Sequence, residues 1–94
     1  MKIVWTPQAE QDRIAIWDYL VELDPAAALR VDQLFSEAVA RLAEFPLLGH
    51  HGTVAGTREL TPHRSYRIVY EVTGDKVWIL VVIHTARQWP PLQN

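Results

Sequence analysis

The stretch "YRIVYEVTGDKVWILVVIH", residues 66–84, contains two apolar segments separated by a glycine turn. The first segment, residues 66–72, alternates between apolar and polar side chains, which is typical of a β-strand with one buried face. The second segment, residues 77–83, is an unbroken apolar run and favours a central strand covered on both faces. Because Gly74 and Asp75 suit a tight turn, the stretch predicts an antiparallel hairpin.

The register of this hairpin decides which side chains share a face. If Val72 pairs with Val77, one face is the predicted core, formed by Tyr66, Ile68, Tyr70, Val72, Val77, Ile79, Val81 and Ile83. On the opposite face, His84 then lies diagonally from Arg67, roughly 7–8 Å away. Glu59 lies on the same face as His84 and Arg67 if Leu60, the next residue in its strand, points to the core. The register therefore predicts a carboxylate, a guanidinium and an imidazole converging on an otherwise apolar face.

The N-terminal half has helical periodicity after a short strand at residues 1–5. Thr6 with Pro7, and later Asp24 with Pro25, are typical helix starts, because the first residue caps and proline suits the first turn. The apolar positions recur at three- and four-residue spacing. They are Ile14, Trp17, Leu20 and Val21 in the first helix, and Val31, Leu34, Phe35, Ala38 and Leu42 in the second. The short connection between the helices predicts an antiparallel helical hairpin.

These segments predict an α+β fold in the order β-α-α-β-β-β, formed by residues 1–94 as a single domain. The antiparallel sheet should carry the N-terminal helical hairpin on one face. A composition that is 49% hydrophobic and 21% charged is ordinary for a globular protein. The longest apolar run, residues 77–83, is too short to cross a membrane, and no signal peptide is expected at the start. We therefore expect a cytoplasmic protein without membrane contact.

Charge and metal-ligand patterns argue against several functions. The net charge is −2, with four Lys and Arg against eight acids in residues 1–55 and five against three in residues 56–94. A nucleic-acid-binding protein usually carries a pronounced basic surface, so this balance weakens that interpretation. The chain has no cysteine, and His50, His51 and His63 lack the spacing of helical metal ligands. We expect no disulfide, no metal site and no cofactor.

The converging residues suit two functions, one catalytic and one structural. In phosphodiester cleavage, Arg67 or Arg87 would hold the phosphate and stabilise its developing charge. His84 or Glu59 would transfer protons, since histidine titrates near neutral pH. The structural alternative is that Arg67 and Glu59 form a salt bridge across neighbouring strands, which is the more frequent role of such pairs.

The residues after the last strand suit a binding function. Arg87, Trp89 and Pro90 would form a partly rigid segment that anchors a protein partner, because tryptophan and arginine are the usual anchors of interfaces. Either function uses the same C-terminal end of the hairpin.

Six motifs, in order along nearly the whole chain, resemble the RelE/ParE superfamily of bacterial type II toxin–antitoxin toxins, including its plasmid-stabilisation branch. They are WTPQAEQDRIAIWDYL (5–20), DPAAA (24–28), FPLLGHHG (45–52), GTREL (56–60), YRIVYEV (66–72) and VVIHTARQWP (81–90). The resemblance implies a growth-arresting toxin and a small co-encoded antitoxin that wraps around it in a hetero-oligomer.

The resemblance also implies two alternative targets. RelE-like members cut mRNA on the ribosome, whereas ParE-like members poison DNA gyrase and are not nucleases. Arg67 matches the family arginine of the third strand, Arg87 matches the arginine after the last strand, and His84 lies close to the terminal histidine of some RelE relatives. A tyrosine beyond Tyr70 and the lysine cluster of RelE nucleases are absent. We therefore favour the ParE-like function over mRNA cleavage, with an inactive relative that only binds its antitoxin as a third alternative.

Overall fold

The helices and strands follow the predicted order. The computed structural model describes residues 1–91. Its elements are β1 (Lys2–Trp5), α1 (Pro7–Leu23), α2 (Pro25–Glu44), β2 (His50–His51), β3 (Arg58–His63), β4 (Tyr66–Thr73) and β5 (Lys76–His84). The α+β fold with a helical hairpin is confirmed, and the two-residue strand β2 is the one element that the sequence pattern did not predict.

The sheet is mixed, and the prediction of a purely antiparallel sheet was wrong. Its strand order is β1-β5-β4-β3-β2, with β1 parallel to β5 and all other pairs antiparallel. β1 and β5 are far apart in the chain but run in the same direction side by side, because all the elements between them form the connection. The helical hairpin is thus part of a long crossover between two parallel neighbours.

A bulge in β5 divides the predicted hairpin into two registers. The predicted register holds from the turn to Tyr70, which pairs with Ile79. Val69 then pairs with Val81, because Leu80 is an extra residue in β5. An extra residue moves all later side chains of that strand to the opposite face. The register was therefore predicted correctly between the turn and Leu80. It was predicted wrongly in the distal half of β5, which comprises residues 81–84.

This bulge changes which residues of β5 enter the core. Val82 packs in the core, whereas Val81 and Ile83, which the sequence assigned to it, share the face of Val69 and Arg67. The buried cluster between sheet and helices contains Ala9, Val31, Phe35, Ala38, Val39, Leu42, Tyr66, Ile68, Tyr70, Val77, Ile79 and Val82.

Both predicted helix starts are confirmed, but the buried side of α1 differs from the prediction. Thr6 Oγ1 accepts a hydrogen bond from the Ala9 N–H (3.2 Å), and the Asp24 carboxylate caps α2 in the same way. Ile14, predicted to be buried, is 59% exposed. Leu20 packs against the core as predicted, and Ile16, which was not predicted to do so, packs beside it, because the side of α1 that carries Ala9, Ile16 and Leu20 faces the sheet.

Candidate functional site

Arg67 and Glu59 meet on the face of the sheet opposite the helices, as predicted. Arg67 Nη1 lies 3.3 Å from Glu59 Oε1, and the Glu59 side chain is almost fully buried. The other Glu59 oxygen accepts a hydrogen bond from the Thr53 N–H (3.2 Å). Arg67 Nη2 donates to the carbonyl oxygen of Arg87 (2.8 Å). Arg67 therefore links β3, β4 and the segment that follows β5.

His84 does not join this pair, so the predicted three-residue convergence was wrong. His84 pairs across the strands with Tyr66, and the two rings are 5.6 Å apart in an edge-on arrangement. Tyr66 belongs to the core on the helical side of the sheet. The single extra residue Leu80 separates His84 from Arg67, because it sends the two side chains to opposite faces.

The segment after β5 has a defined course. The Thr85 N–H donates to the Ser65 carbonyl (2.9 Å), and the Arg87 N–H donates to the His84 carbonyl (2.9 Å). Together with the bond from the Arg67 side chain, these contacts fold the segment back along the end of the sheet. The segment is therefore preorganised rather than a free tail.

A groove of about 1170 Å³ lies between α1, α2 and the distal half of β5. Its apolar wall includes Ile16, Leu20, Val31 and Leu34. Its polar residues include Asp12, Arg30, His63, His84, Arg87 and Trp89. A groove that is mostly apolar with a few polar groups at one end is typical of a binding site.

The groove exists because β1 is shorter than β5. β1 ends at Trp5, opposite Ile79, and leaves the distal half of β5 without a strand neighbour on that side. The carboxylate of Asp12 in α1 accepts a hydrogen bond from the Val82 N–H (3.0 Å) and so satisfies one backbone group of this edge. An incompletely paired strand edge beside an apolar groove can accept a further strand or helix.

The two histidines at the end of the groove have a fixed hydrogen-bonding pattern. His63 Nδ1 accepts from the Ser65 N–H (3.0 Å), and His84 Nδ1 accepts from the Ala86 N–H (3.0 Å). A ring nitrogen that accepts a hydrogen bond carries no proton, so in the neutral form Nε2 carries it in both rings. Tyr66 lies between them, with its ring 5.8 Å from that of His63.

The predicted partner-binding residues are distributed unevenly around the groove. Arg87 and Trp89 line it, whereas Pro90 is exposed and its neighbour Pro91 lines it instead. Sequence analysis did not single out Asp12 of α1 or Arg30 of α2, which also line the groove. The sequence does contain a pattern that indicates this side of α1: Asp12, Ile16 and Leu20 are spaced four residues apart and therefore lie on one side of the helix.

Two other classes of site are not found in the part of the chain that the structure describes. Among residues 1–91, no group of three or more histidine, aspartate or glutamate side chains is arranged to hold a metal ion. Within the same residues, no helix has the length and apolar character needed to span a bilayer.

Known proteins with similar sequences and structures are toxins. The family described as "ParE toxin of type II toxin-antitoxin system, parDE" matches residues 3–89. Putative toxin Y4kP of Sinorhizobium fredii is 40% identical over 90 residues, which is 95% of this chain and 93% of that protein. Toxin RelE2 of Caulobacter vibrioides is 38% identical over 86 residues, which is 92% of this chain and 97% of that protein.

A solved structure, the chromosomal ParDE TA system from P. aeruginosa, superposes with a TM-score of 0.78 at 32% identity, covering 89% of this chain and 95% of the matched chain. The relatives and the shared fold thus place the chain among the small α+β toxins of the RelE/ParE type. The chain belongs to the ParE toxin family of type II toxin–antitoxin systems. The resemblance seen in the sequence is confirmed, with the ParE-like side favoured over the RelE-like side.

Proposed function

We propose that this toxin arrests bacterial growth by poisoning DNA gyrase in the cytoplasm, and that a co-encoded antitoxin neutralises it by occupying the groove. The observation that carries the proposal is the match to the ParE family over residues 3–89. By contrast, the catalytic set that the sequence suggested is divided, because Arg67 and Glu59 lie on one face of the sheet and His84 on the other.

The contacts of Arg67 support a structural function for this residue. Its guanidinium is bound to the Glu59 carboxylate and to the Arg87 carbonyl oxygen. A phosphate would have to compete with both partners, and it would approach beside the buried negative charge of Glu59. Since the protein also has a net charge of −2, attraction to RNA is weak. These features favour gyrase poisoning over mRNA cleavage.

The groove is the surface best suited to an antitoxin. It offers an apolar wall from both helices and an open edge of β5, and these are the two features that accept an amphipathic helix or an extended strand. The nearby segment after β5 is held in place by hydrogen bonds, which reduces the entropic cost of binding.

One arrangement favours RelE-like mRNA cleavage as a second candidate function. His63, Tyr66 and His84 lie together at the end of the groove with Arg87 nearby, and an imidazole can transfer protons during RNA cleavage. Burial, and secondarily the neighbouring Tyr19, raises the pKa of Tyr66. The phenol of Tyr66 therefore keeps its proton near neutral pH and is not a general base there.

One experiment in cells distinguishes these functions. The chain is induced without its antitoxin, and growth, the DNA-damage response and mRNA cleavage by primer extension are scored together. Gyrase poisoning predicts growth arrest with a damage response and intact transcripts, and purified gyrase should then accumulate cleaved plasmid. Transcript cuts that disappear in a folded His84→Ala variant would contradict the proposal and assign the nuclease function. Normal growth at confirmed expression would identify an inactive relative.

A further inference from the structure

We propose that the end of the groove next to β5 is a carboxylate-binding site that receives an acidic side chain of the antitoxin, with the Trp89 indole N–H as one of its donors. This inference rests on the proposed function, in that it assigns the groove to the antitoxin. It adds the chemistry by which the partner is recognised.

The indole of Trp89 carries a donor without an acceptor. Its Nε1 atom is buried, and among residues 1–91 no group accepts its hydrogen. Buried polar groups are almost always hydrogen-bonded in stable proteins, because an unmade bond costs free energy. Trp89 lines the groove. Because the Nε1 atom is shielded from solvent, an acceptor atom on a molecule that fills the groove would make the missing bond after a small rotation of the Trp89 side chain.

The two histidines add further donors. Because Nδ1 of His63 and of His84 already accepts a backbone N–H, the proton of each neutral ring is on Nε2. In the described part of the chain, neither Nε2 atom has a hydrogen-bond partner, and both rings line the groove.

The charged groups of the groove also favour an anion. Arg30 and Arg87 line it, and neither guanidinium forms an ion pair with any residue from 1 to 91. The carboxylate of Asp12 lies in the same groove, but both oxygens are in use. One accepts from the Val82 N–H (3.0 Å) and the other from the Gln8 side chain (2.8 Å). Among the described residues that line the groove, unpaired hydrogen-bond donors and positive charges therefore outnumber unpaired acceptors and negative charges.

The surroundings indicate that this anion belongs to a protein. The groove continues from the polar end into an apolar wall that includes Leu20 and Leu34. An amphipathic peptide with a carboxylate beside aliphatic side chains matches both parts, whereas a phosphate backbone has no group that would cover the apolar wall. Charge-assisted hydrogen bonds from indole, imidazole and guanidinium groups to one carboxylate would add specificity to this contact.

The site can be tested with a small probe and the toxin produced by cell-free synthesis. The probe is sodium hexanoate, which joins an aliphatic chain to a carboxylate, and the matched control is hexanamide, which keeps the shape without the charge. The chain has four tryptophans, so four indole N–H signals in a ¹H–¹⁵N spectrum report binding. We expect hexanoate to shift the Trp89 signal saturably and to bind about tenfold more tightly than hexanamide, since a charged hydrogen bond is worth that factor. The signals of Trp5, Trp17 and Trp78 should stay in place.

Two variants identify the donors. Trp89→Phe keeps the aromatic ring and removes the N–H, and Arg30→Gln removes one charge from an exposed position on α2. Each should weaken hexanoate by about threefold or more. Arg30→Gln should leave hexanamide unchanged, whereas Trp89→Phe should also weaken hexanamide, whose carbonyl oxygen can accept from the same N–H. Because Arg30 is exposed, its variant remains informative even if Trp89→Phe does not fold.

Three outcomes would overturn the carboxylate site. Equal affinity for hexanoate and hexanamide would mean that the groove is only an apolar surface. A shift at Trp17 in place of Trp89 would locate the binding elsewhere. Tighter binding of a short single-stranded oligonucleotide, with a shift at Trp89, would assign the site to nucleic acid. The first two outcomes would contradict the carboxylate site without changing the result expected from the growth assay. Failure of the site can therefore be distinguished from failure of the gyrase proposal.

Discussion

Tyr70 joins the sheet to the loop that follows α2. Its hydroxyl accepts a hydrogen bond from the Gly49 N–H (2.8 Å) and donates one to the Pro46 carbonyl oxygen (2.8 Å). The side chain is fully buried. Gly49 packs so closely that a Cβ atom there would lie 2.8 Å from the Tyr70 ring, so only glycine fits. One phenol thus fixes both ends of a turn.

Tyr70→Phe should lower the free energy of unfolding by about 2–3 kcal/mol, because the buried Gly49 N–H and the partly buried Pro46 carbonyl lose their partner. Urea denaturation of both proteins measures this difference. Tyr66→Phe is the matched control, since the Tyr66 hydroxyl makes no hydrogen bond to residues 1–91, and it should stay within about 0.5 kcal/mol of the wild type. Equal losses in both variants would show that the two bonds of Tyr70 contribute nothing specific.

The same residue predicts sensitivity to alkaline pH. Burial raises the pKa of Tyr70 above its ordinary value of 10.0, and the Gly49 hydrogen bond and Arg58 offset only part of this shift. Below pH 10 both the folded and the unfolded protein are protonated, so stability is unaffected. Above it, the unfolded chain loses the proton first, and stability falls as pH rises toward the folded pKa.

The expected loss is at most about 1.4 kcal/mol per pH unit for each such tyrosine. Urea denaturation at about pH 8 and about pH 11 measures it. The Tyr70→Phe variant should lose less stability than the wild type over the same interval. A loss of the same size in both proteins would exclude Tyr70 as its source, leaving Tyr66, whose pKa burial also raises.

At the scale of elements, the bulge in β5 decides which residues can act together. Sequence alone could not locate it, because residues 77–83 are apolar at every position and satisfy either register equally. The helix starts at Thr6 and Asp24 were predictable, since capping depends on residues next to each other in the chain. The approach of Glu59 to Arg67 was predicted on the condition that Leu60 points to the core, and it is found because Glu59 pairs with Val69 before the irregularity that follows Leu60 in β3.

The pair formed by Glu59 and Arg67 connects three elements, and its strength can be measured. Arg67→Met should lower the free energy of unfolding by about 2–4 kcal/mol, because it leaves the buried carboxylate without its cation. Glu59→Gln alone should also destabilise the protein. The double variant should lose less stability than the sum of the losses in the two single variants, which corresponds to a coupling energy of about 1–3 kcal/mol.

Thermal and urea denaturation of the four proteins complete this double-mutant cycle. Strictly additive losses would show that the two side chains do not interact, and Arg67 would again be available for a phosphate. A measured coupling would instead support the structural function of Arg67, and with it the proposal that the toxin does not cleave RNA.

At the scale of the whole molecule, the groove results from the difference in length between β1 and β5. β1 has four residues and β5 has nine, so α1 must cover an edge that no strand reaches. Sequence analysis predicted both strands but not their parallel pairing, which depends on the direction of all the elements between them. The groove and the polar end that His63 and His84 share with Arg30 follow only from that topology.

The proposal that the antitoxin occupies the groove can be tested with one substitution inside the groove and one outside it. Ala15 is an exposed residue of α1 that lines the groove, and Ala40 is an exposed residue of α2 that does not. Ala15→Arg places a long, charged side chain in the groove without disturbing the core, and Ala40→Arg makes the same change elsewhere. Both substitutions keep good helix propensity, so both variants should fold.

In cells that co-express the antitoxin, we expect Ala15→Arg to arrest growth and Ala40→Arg to be neutralised like the wild type. Without antitoxin, both variants should remain toxic. The affinity of purified antitoxin for Ala15→Arg should fall by about 100-fold, as for the loss of a central contact of roughly 3 kcal/mol in an interface. Full neutralisation of Ala15→Arg would exclude the groove as the antitoxin site. Loss of toxicity in Ala15→Arg alone would show that the target also uses the groove, so that the antitoxin neutralises the toxin by direct competition.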